Sequence, residues 1–166
     1  MLERLKKKAD PVRRARAKLL TAEEQAAQFD RTRSAHRTEI AEDYVELIAD
    51  LIDGMGEARA VDLAGRLGVT NATVNNTIAR LQREELVRSE PYRSIFLTEK
   101  GWQLARHCRR RHAIVLAFLK LIGVSDEVAA IDAEGIEHHV SAETLEAFER
   151  FTRSNATAGT GETEQA

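Results

Sequence analysis

The segment from residue 60 to residue 81 constrains the fold of this chain more than any other. Apolar residues recur there at helical spacing in two runs, which are Ala60, Val61, Ala64 and Leu67, then Val74, Ile78 and Leu81. Only a four-residue turn, from Leu67 to Thr70, separates the two runs. Gly68 is a helix stop signal and Thr70 is a suitable N-cap for the next helix. Two short amphipathic helices joined in this way predict a helix-turn-helix.

The flanking segments extend this unit on both sides. A helical pattern runs from Ile40 to Ile52 and ends at two glycines, Gly54 and Gly56. Two β-prone stretches, 86–88 and 94–97, flank a turn-like segment at 90–93 and predict a small hairpin. Three further helices are predicted, from Thr98 to about 122, from Ser125 to about 139 and from Ser141 to about 151. The predicted fold class is mainly α, with an N-terminal winged helix-turn-helix, a small β-hairpin wing and a following α-helical domain.

The second helix of the helix-turn-helix has a polar outer face that suits DNA. Asparagine can bond to adenine, threonine can contact thymine methyl groups, and arginine can reach guanine or phosphate. A solvated helix face has a similar composition, but the helix-turn-helix and the following hairpin favour DNA binding. The candidate DNA contacts are Thr70, Asn71, Thr73, Asn75, Asn76 and Arg80, with Arg93 at the hairpin tip.

Charge and cysteine content limit the class of protein. The chain has 25 basic and 27 acidic residues, so its net charge of -2 gives no support for unspecific DNA binding. The basic residues are concentrated, because residues 1–20 hold eight Lys or Arg against two acids. The single cysteine excludes an intrachain disulfide and fits a reducing cytoplasm. No apolar run approaches the roughly 20 residues that cross a bilayer, so we expect a cytoplasmic protein without a membrane partner.

Carboxylates and imidazoles occur at spacings typical of metal ligands. Glu134, Glu137 and His138 would share one helical face at i, i+3 and i+4, which predicts an oxygen-rich site for Mn, Fe or Zn. A polar surface stripe with an incidental histidine explains the same spacing equally well. Asp43 and Glu46 are also spaced i, i+3, but acids flank most amphipathic helices.

Two further residues have weak signals on the helix that follows the hairpin. His112 stands alone between basic and apolar neighbours, where a histidine is more often a core-edge residue than a ligand. Cys108 lies four residues earlier on the same face, so the two could bind a softer metal. A small buried apolar residue is the favoured role for this cysteine.

Five segments together resemble one known family. They are EDYVELI (42–48), LAGRLGVTNATVNNTIARL (63–81), FLTEKG (96–101), RRHAIVLAFLKLIGV (110–124) and DAEGIEHHVS (132–141). The chain resembles the iron-dependent, diphtheria-toxin-repressor-like regulators from about residue 36 to 153, and within them the manganese transport regulator branch. The resemblance implies a winged-helix domain joined to a helical dimerisation domain.

The resemblance also implies a metal centre with two Mn²⁺ ions per subunit at the junction of these domains. The matching ligand positions are Asp43, Glu46, His112, Glu134, Glu137 and His138. Asp43 and Glu137 stand where the iron-regulating branch is similar but carries Met and Cys, which favours manganese. The implied function is a Mn²⁺-responsive repressor of manganese uptake genes. It would bind a palindromic operator as a metal-loaded homodimer and take no small organic substrate.

The domain boundaries follow from these patterns. We predict a basic extension over 1–35 that is partly disordered or helical, a DNA-binding domain over 36–98, a metal-binding and dimerisation domain over 99–154, and a disordered tail over 155–166. The extension lies outside the resemblance and inherits no function from it. Three alternatives stay open, which are an Fe²⁺- or Zn²⁺-responsive regulator of the same family, a metal-independent winged-helix repressor, and a di-metal carboxylate enzyme on a helical bundle.

Overall fold

The structure, a computed structural model, describes residues 20–89 and 93–156. The elements of this part of the chain are α1 (Ala22–Met55), α2 (Ala60–Leu67), α3 (Asn71–Arg83), β1 (Val87–Ser89), β2 (Ile95–Leu97), α4 (Glu99–Leu121), α5 (Asp126–Ile136) and α6 (Ala142–Ala156). The predicted fold class is confirmed, because helices dominate and the two strands form one small antiparallel sheet. The chain divides into two compact units at Ser34.

The first unit contains the beginning of α1. Thr21 caps this helix in a reciprocal capping box with Glu24, since each backbone N–H donates to the other residue's side chain at 2.9 and 3.2 Å. Arg33 forms an exposed ion pair with Asp30. Of the predicted extension 1–35, residues 22–35 are helical in the structure, whereas the basic segment 1–19 lies outside the described residues. Local capping and side-chain pairs stabilise this part of α1.

The second unit has two apolar cores, and the first belongs to the winged helix. It joins α1 from residue 41 onward with α2, α3, the hairpin and the beginning of α4. Its fully enclosed members include Val45, Ile48, Leu63, Val74 and Leu81. Thr70 caps α3 by accepting a hydrogen bond from the backbone of Thr73 at 3.1 Å, as the sequence predicted.

The hairpin is anchored to both sides of the helix-turn-helix. Val87 pairs with Leu97 and Ser89 with Ile95, and a further bridge joins Ile95 to Ala58, which lies just before α2. The backbone N–H of Ile95 donates to Ala58 at 2.7 Å. Of the turn predicted at 90–93, only Arg93 falls within the described residues. The two strands of the hairpin are therefore part of the first apolar core.

Gly101 lets α4 approach β1 closely. A Cβ atom built there would lie 2.1 Å from the carbonyl oxygen of Leu86, which is backbone and cannot rotate away. We therefore expect Gly101→Ala to destabilise the protein by about 1–3 kcal/mol through overpacking. The matched control is Gly65→Ala inside α2, where nothing lies within 4 Å and the better helix propensity should add up to about 1 kcal/mol. Urea unfolding of both variants checks this, and equal midpoints would contradict it.

The second core is formed by α4, α5 and α6. Val115, Leu119, Ala129, Ala133 and Leu145 are its buried members. Next to it the rings of Phe118 and Phe148 stack with centroids 3.9 Å apart. Helix α5 ends at Ile136 and not near residue 139, and α6 extends to Ala156, two residues past the boundary predicted at 154.

Candidate metal centre

Helix α4 connects the two cores, and its middle is polar. Ala105 belongs to the first core and Val115 to the second. Between them lie Arg111 and His112, which face α1 and the end of α5. Carboxylates from those two elements meet the α4 side chains in this gap, and this is where the candidate metal ligands are found.

Three side chains form the tightest group. One ligand atom each from His112, Glu134 and Glu137 lies within 4.8 Å of the others. His112 Nδ1 lies 3.5 Å from Glu134 Oε1 and 3.0 Å from Glu137 Oε2. This is the spacing of groups that could share one cation.

A second group surrounds His138. Its Nε2 atom lies 3.2 Å from Asp43 Oδ1 and 3.7 Å from Glu137 Oε1. Glu137 therefore belongs to both groups, with one oxygen towards His112 and the other towards His138.

Glu46 completes the set of six predicted residues. It lines an open cavity of about 500 Å³ together with Asp43, His112 and Glu134. Burial, together with the nearby charges of Glu137 and Glu134, raises the pKa of Glu46 to about 7. The structure thus brings all six predicted side chains to one place, although they come from α1, α4 and the end of α5.

Glu137 is the most unusual residue of the centre. It is 1 % exposed, and neither carboxylate oxygen accepts a hydrogen bond. His112 Nδ1 lies 3.0 Å from Oε2, which is an ion-pair distance when the imidazole is protonated, but it forms no hydrogen bond with this oxygen. Burial raises the pKa of Glu137 to about 7, with Glu134 adding to the effect. A buried carboxylate normally has partners, so the site fits a cation that would supply them.

The local backbone around Glu137 differs from the sequence prediction. Only Glu134 is inside α5, because Glu137 is the C-cap residue and His138 lies in the turn that follows. The i, i+3 and i+4 argument still placed them on one side, since Glu137 keeps helical dihedral angles and its N–H bonds to Ala133 at 3.0 Å. Glu137 therefore stays on the side of Glu134, and its two oxygens lie near His112 and His138.

Two residues beside the centre were missed. Glu42 on α1 is buried and accepts hydrogen bonds from Arg111 on α4 and from His138. Burial opposes ionisation of Glu42, but these hydrogen bonds outweigh it and leave its pKa below the usual value. The spacing of buried residues could have indicated this pair. Glu42 lies three residues before Val45, and Arg111 lies three residues after Cys108, so each charge falls on a buried helical face. A lone charge in such a stripe requires an opposite charge nearby.

Cys108 lies outside the centre. It is fully buried, and its only described polar contact is with Arg111 Nη2 at 3.8 Å. Burial raises the pKa of its thiol to about 12, with the charges of Glu42 and Glu46 adding to the effect. A thiol of this kind is a poor metal ligand, which disfavours the Cys108–His112 pair considered above.

The candidate DNA contacts divide into two groups. Asn71, Asn75 and Arg93 line a groove of about 820 Å³ between α3 and the hairpin. Asn76 is also exposed. Three others have structural bonds, since Thr70 and Thr73 share a hydrogen bond at 3.0 Å and Arg80 Nη1 donates to the carbonyl of Arg37 at 3.2 Å. Arg80 therefore ties α3 to α1 in this structure.

Two family models match the chain. One is described as the iron dependent repressor N-terminal DNA binding domain and matches residues 36–95. The other is described as the iron dependent repressor metal binding and dimerisation domain and matches residues 98–164. The transcriptional regulator MntR of Escherichia coli O6:H1 is 49% identical over 145 residues, which is 87% of this chain and 94% of that protein. The chain belongs to the MntR branch of the iron-dependent repressor family.

A second relative agrees with this assignment. The HTH-type transcriptional regulator MntR of Listeria welshimeri serovar 6b is 41% identical over 100 residues, covering 60% of this chain and 70% of the relative. Both relatives are transcriptional regulators, so this chain is a DNA-binding regulator with a divalent metal cofactor and a dimerisation domain, not a di-metal enzyme.

The fold is also found in solved structures. A manganese-dependent transcriptional repressor in complex with manganese matches with a TM-score of 0.61 and 26% identity, over 68% of this chain and 52% of that one. The chain thus spans about half the length of this structure. No helix among residues 20–89 and 93–156 is long and apolar enough to span a membrane.

Proposed function

We propose that this chain is a Mn²⁺-responsive regulator that holds two Mn²⁺ ions per subunit through Asp43, Glu46, His112, Glu134, Glu137 and His138. The metal-loaded homodimer would act in the cytoplasm and bind a palindromic DNA operator. The single observation that carries the metal proposal is Glu137, a carboxylate that is almost fully enclosed and has no hydrogen-bond donor on either oxygen.

The proposal of two Mn²⁺ ions per subunit rests on the directions in which the two carboxylate oxygens of Glu137 point. Oε2 faces His112 and Glu134, whereas Oε1 faces His138 and Asp43. A carboxylate shared in this manner suits two neighbouring cations. Glu46 lines the same cavity and supplies a further carboxylate. Two divalent ions would balance the four carboxylates of the set.

The donor types favour manganese. Four carboxylates and two imidazoles make an oxygen-rich set of ligands. Cys108 is buried and does not belong to this set. Hard, oxygen-rich sites suit Mn²⁺, while thiolates select softer metals. The manganese-bound repressor that shares this fold supports the same choice.

The site connects the two cores of the second unit. Asp43 and Glu46 belong to α1, which packs in the first core with the DNA-binding helices, while Glu134 and Glu137 belong to the α5 region of the second core. The bound cations supply positive charge that offsets the mutual repulsion of these acids. Without that charge, the carboxylates favour arrangements in which the two cores separate. Metal and DNA would thus select the same arrangement, and their coupling must be reciprocal, typically about 1–3 kcal/mol.

The DNA partner follows from the helix-turn-helix. Among the proposed base or phosphate contacts, Asn71, Asn75 and Arg93 line the groove between α3 and the hairpin. A two-fold homodimer would read a palindrome whose half-sites lie in successive major grooves. We propose that residues 36–98 form the DNA-binding domain, that 99–154 form the metal-binding and dimerisation domain, and that the regulated genes encode manganese uptake.

The function is tested by operator binding measured against free Mn²⁺, with EDTA as the control. Glu134→Ala is expected to leave folding and dimerisation intact, because this side chain is 71% exposed, yet to abolish the Mn²⁺-dependent shift. Asp132→Ala removes another exposed acid of α5 and is expected to behave as wild type. A Mn²⁺-dependent shift that survives Glu134→Ala would contradict the proposed site. Equal activation by Fe²⁺ or Zn²⁺ at matched occupancy would contradict the choice of manganese.

A further inference from the structure

Glu42 lies beside the proposed ligands but is not available to bind a metal. Arg111 donates to both of its carboxylate oxygens, at 3.1 Å to Oε1 and also to Oε2. His138 Nδ1 lies 2.7 Å from Oε2. The Glu42 side chain is 6% exposed and that of Arg111 is 12% exposed, so solvent does not compete for these bonds. Both oxygens are therefore already used within the protein.

We propose that Glu42 is a positioning residue, which holds the Nδ1 proton of His138 and thereby presents His138 Nε2 to the metal. This inference rests on the proposed metal function. An ionised carboxylate can only accept hydrogen bonds, so the ring nitrogen 2.7 Å away must be the donor. The other nitrogen, Nε2, then faces Asp43 and Glu137 at 3.2 and 3.7 Å.

A bond of this type fixes both the tautomer and the orientation of a metal-binding imidazole. Metal-ligating histidines usually donate their second ring N–H to a carboxylate or carbonyl, and removing that partner weakens metal binding by about 10- to 100-fold. Glu42 supplies the partner from α1, although His138 comes from the turn after α5.

Arg111 makes this arrangement compatible with four neighbouring acids. Its guanidinium holds Glu42 away from the cavity and offsets the additional negative charge. Each member of the network is also adjacent in sequence to a proposed ligand, since Glu42 precedes Asp43, Arg111 precedes His112 and His138 follows Glu137. The network thus joins the three ligand-bearing segments by bonds that are present without metal.

A structural ion pair alone would explain the same contacts, so the test must separate the two roles. The matched variants are Glu42→Gln/Arg111→Met and Glu42→Leu/Arg111→Met. Both remove the buried ion pair and leave no unpaired charge, and such replacements are often tolerated. Only the glutamine variant retains an acceptor for His138 Nδ1–H. Asp53→Asn, which loses a surface ion pair with Arg109 between α1 and α4, is the control for helix tethering.

The first readout is Cd²⁺ affinity measured by calorimetry, with Cd²⁺ as a diamagnetic probe of the site. We expect Asp53→Asn to match wild type and the leucine variant to bind about 10- to 100-fold more weakly than the glutamine variant. Equal affinities of the two double variants would overturn the positioning role.

The second readout needs no variant. Nitrogen NMR of the wild-type protein loaded with Cd²⁺ should show cadmium coupling to His138 Nε2 and a protonated Nδ1. Coupling to Nδ1 would overturn this inference and leave the proposed metal function standing. A His138 ring without coupling while the metal is bound would overturn this inference and also remove His138 from the proposed ligands. A wild-type protein that binds neither Cd²⁺ nor Mn²⁺ would overturn both.

Discussion

Replacing Glu137 by glutamine is expected to stabilise the metal-free protein and to weaken Mn²⁺ binding by at least about 100-fold, more than the loss of a residue that only supports a ligand. The carboxylate is buried without a hydrogen-bond donor, and burial raises its pKa to about 7. At pH 8 it is mainly ionised in the folded protein, which is unfavourable relative to the unfolded chain. Glutamine has nearly the same shape without the charge, so the expected gain is on the order of 2–3 kcal/mol.

The measurements are urea unfolding of the metal-stripped protein at pH 8 and Mn²⁺ titration by calorimetry. Glu134→Gln is the matched control, because this ligand candidate is 71% exposed and its charge is already solvated. It should lose metal affinity without gaining stability. A metal-free Glu137→Gln protein less stable than wild type would show that the carboxylate has a partner within the fold.

Mn²⁺ affinity is expected to fall about 100-fold between pH 8 and pH 6, because metal must displace protons from two carboxyl groups. Burial raises the pKa of both Glu46 and Glu137 to about 7, with repulsion between acids adding to it. Below that pH both groups are protonated and are poor ligands. Calorimetric titrations over this range should show the affinity changing with a limiting slope of about two protons per binding event.

The stability of the metal-free protein should change in the opposite direction. A carboxyl whose pKa is raised in the folded state contributes stability below its unfolded value, near 4.5, and loses it as pH rises through about 7. The melting temperature of metal-free protein should therefore decrease from pH 5 to pH 8, and saturating Mn²⁺ should restore it at pH 8. In Glu46→Gln the number of protons released on Mn²⁺ binding near pH 6 should decrease from about two to about one. A release that stays at two would assign the protons to other groups.

The winged helix could be predicted from sequence because its signals are local. Thr70 and Thr98 cap α3 and α4 through their side chains, and the apolar residues predicted for α3, Val74, Ile78 and Leu81, are all buried. The face predicted for α2 was partly wrong, because Val61 is exposed and Leu63 is buried instead. The end of α5 could not be placed this way, since no glycine or proline follows Ile136 and the turn depends on packing against α4. The sequence also gave no reason to join the segment before Ile40 to the next helix, yet α1 is continuous from Ala22.

The metal centre required tertiary information that spacing cannot supply. Asp43, Glu46 and His112 had weak individual signals, and only the family resemblance grouped them with Glu134. Their convergence depends on how α1, α4 and α5 pack. Glu42 and Arg111 show what sequence spacing could not predict. These two charged residues are 69 positions apart and form hydrogen bonds with each other only because α1 and α4 pack together. That the six residues are metal ligands stays a prediction.

The most direct test of the central claim is anomalous diffraction at the manganese edge from crystals of the Mn²⁺-loaded protein. Two peaks per subunit are predicted, with His112, Glu134 and Glu137 around one of them and Asp43, Glu137 and His138 around the other. Manganese peaks elsewhere on the molecule, with Glu137 still lacking any partner, would contradict the account.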